Sequence, residues 1–279
     1  MRTKLSLLTI CLATTSALAA PAEGELPGIE FPAGDTTAKA GEWVLTVNKL
    51  MYDKFAAEPD KKGVIFYSYQ LTEPGPKVSK FKSMGKEDSA PNLLVIPLGT
   101  GAKAKVGDIV LTWWQSGSGM QRAIVVDAKD PKQPVVRYLD LDYNNPAKSR
   151  DNTTTIGQMD EQLKPDSFAL LTAAWQPGTT VACKDGKDFR VLDVLRVSGD
   201  KVLTKGFVGK LAAKPKADCT PMPLKPKLKV GDKVQAKWTS VVRSGVVTKI
   251  DPKIGRVWVK FDKLADEVAV AYGHVIDKL

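Results

Sequence analysis

Lys105-Val106-Gly107-Asp108-Ile109-Val110 and Lys229-Val230-Gly231-Asp232-Lys233-Val234 open two stretches of this chain that then run in parallel. A tryptophan stands seven residues after each glycine, at Trp114 and Trp238. A polar loop with serine and glycine follows, then a valine-rich run (Ala123 to Val126; Gly245 to Val247) and an Asp-Pro-Lys turn at Asp130-Pro131-Lys132 and Asp251-Pro252-Lys253. A last run ends in an aromatic residue and an aspartate, Tyr138-Leu139-Asp140 and Phe261-Asp262. Features repeated in the same order mark an internal repeat. The physical logic is a bend and then a strand. Glycine tolerates the bend, the neighbouring acid can accept from local amides, and the next valine points inward. Weaker echoes open at Gly41-Glu42-Trp43-Val44 and Gly178-Thr179-Thr180-Val181, so the starts lie 66, 71 and 53 residues apart.

The rest of the chain agrees. Short alternating or β-branched runs separated by Gly, Pro, Asp and Asn recur from residue 41 onward, among them Val64 to Tyr69, Leu93 to Ile96, Val191 to Val197 and Val202 to Leu203. Only Leu50 to Ala57 and Asp160 to Lys164 read as helical turns. The expectation is an all-β protein of tandem small bent five-stranded barrels. The modules are 39–102, 103–176, 177–212 and 229–279, with linkers at 20–38 and 213–228. A module of about 50 residues is marginal alone, and packing against its neighbours would offset the deficit.

The first nineteen residues read as a signal peptide: Arg2 and Lys4 precede an apolar run, and Ala17-Leu18-Ala19 offers a cleavage site. Export to the periplasm or beyond the cell follows, with no apolar run of the roughly 20 residues that span a bilayer. Cys183 and Cys219 then remain, and in an oxidising compartment they pair most simply as one disulfide. Cleavage leaves 39 basic against 31 acidic side chains, a net charge of +8. From Leu224 to Leu279 there are 10 Lys and 2 Arg against 5 Asp and 1 Glu, which places +6 of that charge at the C-terminal end. The Lys/Pro-rich stretch before it, Lys210 to Lys229, reads as an extended stalk.

The Lys-Val-Gly-Asp start, Trp238, Val257-Trp258-Val259-Lys260-Phe261-Asp262 and the closing Val270 to Leu279 resemble a Tudor domain, a bent small barrel of the Src-homology-3 architecture. The resemblance implies a non-catalytic binding module, often in tandem, whose best-known members cage methylated lysine or arginine between aromatic rings. Trp238 and Phe261 match two cage positions. Arg243, Ser244 and the stretch from Lys263 to Ala265 depart from the others, and cations there would repel such a ligand. The expected binding residues are Trp114, Tyr138, Trp238, Arg243, Trp258 and Phe261. Adjacent strand residues face opposite ways, so one of Trp113 and Trp114 is core and the other exposed.

These readings call for no cofactor or metal. The partner expected is an anionic polymer or a protein of the cell envelope, and export argues against nucleic acid. The competing enzyme reading is a carboxylate-dependent hydrolase of envelope polymers, using Asp140 and Asp142 on one strand face. The single histidine, His274, has no nucleophile motif to serve and reads as structural, and Gln115 to Gly119 reads as a flexible loop. Asn152-Thr153-Thr154 fits a glycosylation acceptor.

Overall fold

The computed structural model describes residues 22–143, 157–262, 264 and 266–279. The signal peptide and the Asn152 acceptor lie outside the described residues. The chain is all-β. The first sheet holds β1 (Trp43–Thr46), β2 (Tyr67–Glu73), β3 (Val78–Ser83), β4 (Lys86–Pro91) and β5 (Ile96–Pro97), with helix α1 (Lys49–Ala57) between its first two strands. The second holds β6 (Ile109–Trp113), β7 (Met120–Asp127), β8 (Val135–Tyr138), β9 (Asp160–Gln162) and β10 (Ala169–Leu171). β11 (Thr180–Asp185), β12 (Asp188–Ser198), β13 (Lys201–Lys205), β14 (Leu211–Pro215) and β15 (Cys219–Pro221) form a third group. β16 (Lys233–Trp238), β17 (Val241–Asp251), β18 (Arg256–Phe261), β19 (Glu267–Ala271) and β20 (Val275–Ile276) form a fourth. One pair, Arg190 with Val241, joins the third and fourth groups into a ten-stranded sheet.

Each group has the same antiparallel order: four strands in a meander, and a fifth that returns to pair with the first. The returning strand is not paired with the fourth, so each is an open five-stranded sheet and not the closed barrel the repeat suggested.

The glycine bend recurs in all of them. Gly41, Gly107, Gly178 and Gly231 have φ of 86, 86, 86 and 93°, a left-handed conformation that costs little only without a Cβ. Their amides donate to the carbonyls of Leu71, Val125, Val194 and Val247 at 2.7 to 2.8 Å, and the same four residues donate back to Glu42, Asp108, Thr179 and Asp232. Immediately beyond each of the four the second strand slips register, a bulge that bends the sheet. Where the acid is present its carboxylate accepts the amide three residues earlier: Lys39 to Glu42, Lys105 to Asp108 and Lys229 to Asp232.

The sheets are packed together. One apolar cluster runs from Val44 and Phe81 of the first, through Trp113 and Leu203, to Val259 of the last. Arginines fasten the joints. Arg196 of β12 donates to the carbonyls of Asp35, Asn92 and Val95, and Arg256 of β18 to those of Tyr138 and Leu141.

Several local expectations change. The stretch 160–164 forms β9 rather than a helical turn, because it completes the edge of the second sheet beside β8. The Lys/Pro stretch after Lys210 supplies β14 and β15, where Pro215 and Pro221 sit on edge strands that lose no ladder bond to them. The segment before β1 is not a bare linker, since Leu26 and Phe31 are buried. No helix among the described residues is long and apolar enough to cross a membrane.

Candidate functional site

The six residues expected to bind do not meet in one place. Tyr138 is fully enclosed, donating to Glu161 Oε2 at 2.6 Å with the Trp113 carbonyl 3.1 Å away, and burial with that carboxylate pushes its phenol pKa up. Phe261 is core of the fourth sheet. Trp113 and Trp114 are both buried, which corrects the expectation that one is exposed. Opposite faces of that strand end meet different cores: Trp113 lies 4.9 Å from Trp43, while Trp114 sits in a separate cluster with its Nε1 donating to the Gln158 carbonyl. The glycine-rich loop is not loose there. A Cβ at Gly117 or Gly157 would come within 2.4 Å of the Trp114 ring, so glycine lets the backbone lie on the indole.

Trp238, Arg243 and Trp258 remain at the surface. Trp238 is 37% exposed at the end of β16, and Arg243 pairs with Asp188 at 2.9 Å. Trp258 lies on the outer face of the fourth sheet, with Lys249 Nζ 4.4 Å from its ring centre and Tyr143 edge-on at 5.5 Å. Register assembles the rest of that face. Lys233 is opposite Val246, and Val246 is opposite Lys260, two residues from Trp258, so all share one side. Lys233, Lys249 and Lys260 are exposed, and with Glu267 opposite Lys260 the face carries these three cations and a carboxylate beside the ring.

A second site draws on Asp140 and His274, which the sequence reading keeps apart. A cavity of about 230 Å³ opens where the second, third and fourth sheets meet, lined by Gln121, Arg122, Asp140, Asp193, Lys205, Lys237 and His274. Arg122 is its anchor. The guanidinium grips Asp140 through Nε at 3.1 Å and Nη2 at 2.5 Å, gives Nη1 to the Tyr272 carbonyl at 3.0 Å, and places Nη2 2.9 Å from His274 Nε2. Gly273 makes room: a Cβ there would stand 1.9 Å from Nη1. Lys205 pairs with Asp193 at 2.6 Å. Lys237 shares its strand face with Lys233, but at this end neighbouring sheets cover it. Burial pulls its pKa below the ordinary lysine value, against the attraction of Asp193 and Asp140.

These contacts fix protonation. Arginine only donates, so His274 Nε2 must accept and the ring is neutral. Burial, then Lys237 and Arg122, hold its pKa well below the ordinary imidazole value, while Arg122 beside Asp140 keeps that carboxyl far below the usual carboxylate range despite burial. The unfolded imidazole takes a proton near pH 6.5 and the folded one does not, so lowering the pH through that value favours the unfolded chain. Stability should fall from pH 7 to pH 5 with a slope approaching about 1.4 kcal/mol per pH unit. His274 is the only histidine, so His274→Gln should flatten the slope in urea titrations. A wild-type profile already flat over that range would contradict the neutral buried ring.

Asp140 and Asp142 do not form a strand-borne pair. β8 ends at Tyr138, and only Asp140 reaches the cavity, where it is committed to Arg122. No family model matches the chain, and no curated protein is found to match it.

Proposed function

We propose that the chain is an exported, non-catalytic binding protein of tandem Tudor-like modules whose ligand is an anionic polymer of the cell envelope, held on the outer face of the fourth sheet. The observation that carries this reading is Trp258 with Lys249 over its ring, on an outer face that also carries Lys233 and Lys260 against the acid Glu267 opposite Lys260. Lysine ammoniums supply long-range attraction, and an aromatic ring supplies a flat apolar contact for the repeating unit between charges. The disulfide between Cys183 and Cys219 fits an oxidising compartment.

The hydrolase reading is weaker on chemical grounds. A general acid needs a carboxyl that keeps its proton near neutral pH. Asp140 is held ionised by Arg122, and Asp193 is spent on Lys205.

Retention on immobilised heparin tests the proposal. The triple variant Lys233→Gln, Lys249→Gln, Lys260→Gln should elute at roughly half the salt concentration of wild type, because each exposed cation contributes a screened attraction. Trp258→Ala should lower retention further at fixed salt. Unchanged elution of the triple variant would remove the outer face as the binding surface.

A further inference from the structure

The cavity between the sheets carries one unmet polar demand. Its walls hold three cations, Arg122, Lys205 and Lys237, against two carboxylates, Asp140 and Asp193, with His274 neutral. Arg122 and Lys205 are paired, whereas Lys237 Nζ has neither a hydrogen bond nor an ion pair among the described residues. A part-buried ammonium without a hydrogen-bonded partner costs stability, so its survival here points to a guest that brings an oxyanion.

The mouth adds a second requirement. Phe207 lines the cavity rim and is 68% exposed. It sits in a short loop that closes on the first sheet through the Val64 amide and the Gly209 carbonyl at 2.9 Å. The next residue, Val208, is held at φ 52°, a left-handed conformation that a β-branched side chain resists. The fold thus keeps an aromatic ring in solvent beside a cationic hollow at a conformational cost. In liquid terms the hollow has room for about eight waters, enough for one six-membered ring with its substituents.

We propose that this cavity binds one acidic sugar unit, with its carboxylate or phosphate on Lys237 and the apolar face of its ring on Phe207. A zwitterionic amino acid fits less well, because its ammonium would enter a hollow that already carries surplus positive charge. A bare inorganic anion would leave Phe207 unused. No residue of the outer basic face takes part, so this site and the polymer-binding face stand or fall separately.

Calorimetric titration of the full chain with sodium glucuronate and with glucose 6-phosphate is the test, with glucose and inorganic phosphate as comparisons. At least one acidic sugar should saturate with a Kd of about 1 mM or tighter, and glucose should not bind in that range. Lys237→Gln should weaken binding about tenfold or more, as expected for loss of a charge-assisted contact, and leave heparin retention unchanged. Phe207→Ala, at an exposed position, should weaken it about threefold or more without altering thermal stability, which keeps the test intact even where the Lys237 variant folds poorly. No saturation by either acid below about 10 mM would overturn the proposal. So would inorganic phosphate binding as tightly as the sugars, or full binding by both variants.

Discussion

Replacing Arg122 by alanine should destabilise the protein by about 3–5 kcal/mol, the range found when one partner is removed from a buried ion pair. The size follows from what is left behind. Asp140 loses both the Nε and the Nη2 bonds and stays as a charge beneath the cavity, the Tyr272 carbonyl loses its donor, and His274 Nε2 loses the hydrogen bond that sets its tautomer. Nearly all of this lies between the second sheet, which supplies Arg122 and the nearby Asp140, and the fourth, which supplies Tyr272 and His274, so the joint itself should loosen. Arg122→Lys keeps the charge but cannot fork onto Asp140 while also reaching Tyr272, and should lose a large part of the same stability. The double variant Arg122→Met, Asp140→Leu removes both charges and should recover stability relative to Arg122→Ala, because the stranded carboxylate is the main penalty. Urea unfolding of the set measures it. A loss below about 1 kcal/mol for Arg122→Ala would mean that the network is solvated in practice and does not hold the sheets together.

How much of this was legible in the sequence depends on the range of the interactions involved. Ile109 to Trp113 reads as a strand and is one, since alternation and β-branching act within a few residues. The glycine bend was legible because the acid's bond to the amide three residues back is local, and the faint echoes at Gly41 and Gly178 make the same bend with the same cross-strand bonds. The hairpin of Val78–Ser83 and Lys86–Pro91 was not legible, because Lys-Glu-Asp-Ser-Ala-Pro has no apolar rhythm and becomes a strand only by pairing with its neighbour. The same reason hides β9 in a stretch that reads as a helical turn.

Sites divide along the same line. The outer basic face could be anticipated, in that Trp258 and the lysine excess are visible in the C-terminal stretch. The inner cavity could not. Lys237 stands on the solvent-facing parity of its strand beside Gln235 and Lys233, and only the arrival of two other sheets turns an ordinary surface lysine into an enclosed one. Arg122 left a trace, an arginine two residues before the buried Ile124 on a strand covered on both sides, but nothing near it in sequence names Tyr272 or His274 as partners. The exposure expected for one of Trp113 and Trp114 failed for the same cause: alternation sorts residues between two faces, and packing of whole sheets decides whether both faces are covered.

Removing the disulfide, by Cys183→Ala with Cys219→Ala, should cost about 4 kcal/mol on the chain-entropy account for the 36-residue separation it closes. The third sheet has little else to replace it. β15 is three residues long and is paired only with β11, through Val181 with Pro221, Ala182 with Thr220 and the cysteines themselves. Beyond it the Met222 amide donates to the Thr180 carbonyl at 2.9 Å, and the Thr180 hydroxyl donates to the Gly273 carbonyl in the turn that seats Arg122. Loosening β15 therefore reaches the same joint that Arg122 fastens, from the opposite side. The thermal midpoint should drop by about 8–16 °C for a chain of this size. Reductant added to wild type should reproduce the drop, whereas reductant added to the double variant should do nothing further. A midpoint within about 2 °C of wild type would show that the unfolded chain gains little freedom on losing the bond, and that sheet packing alone holds the third module in place.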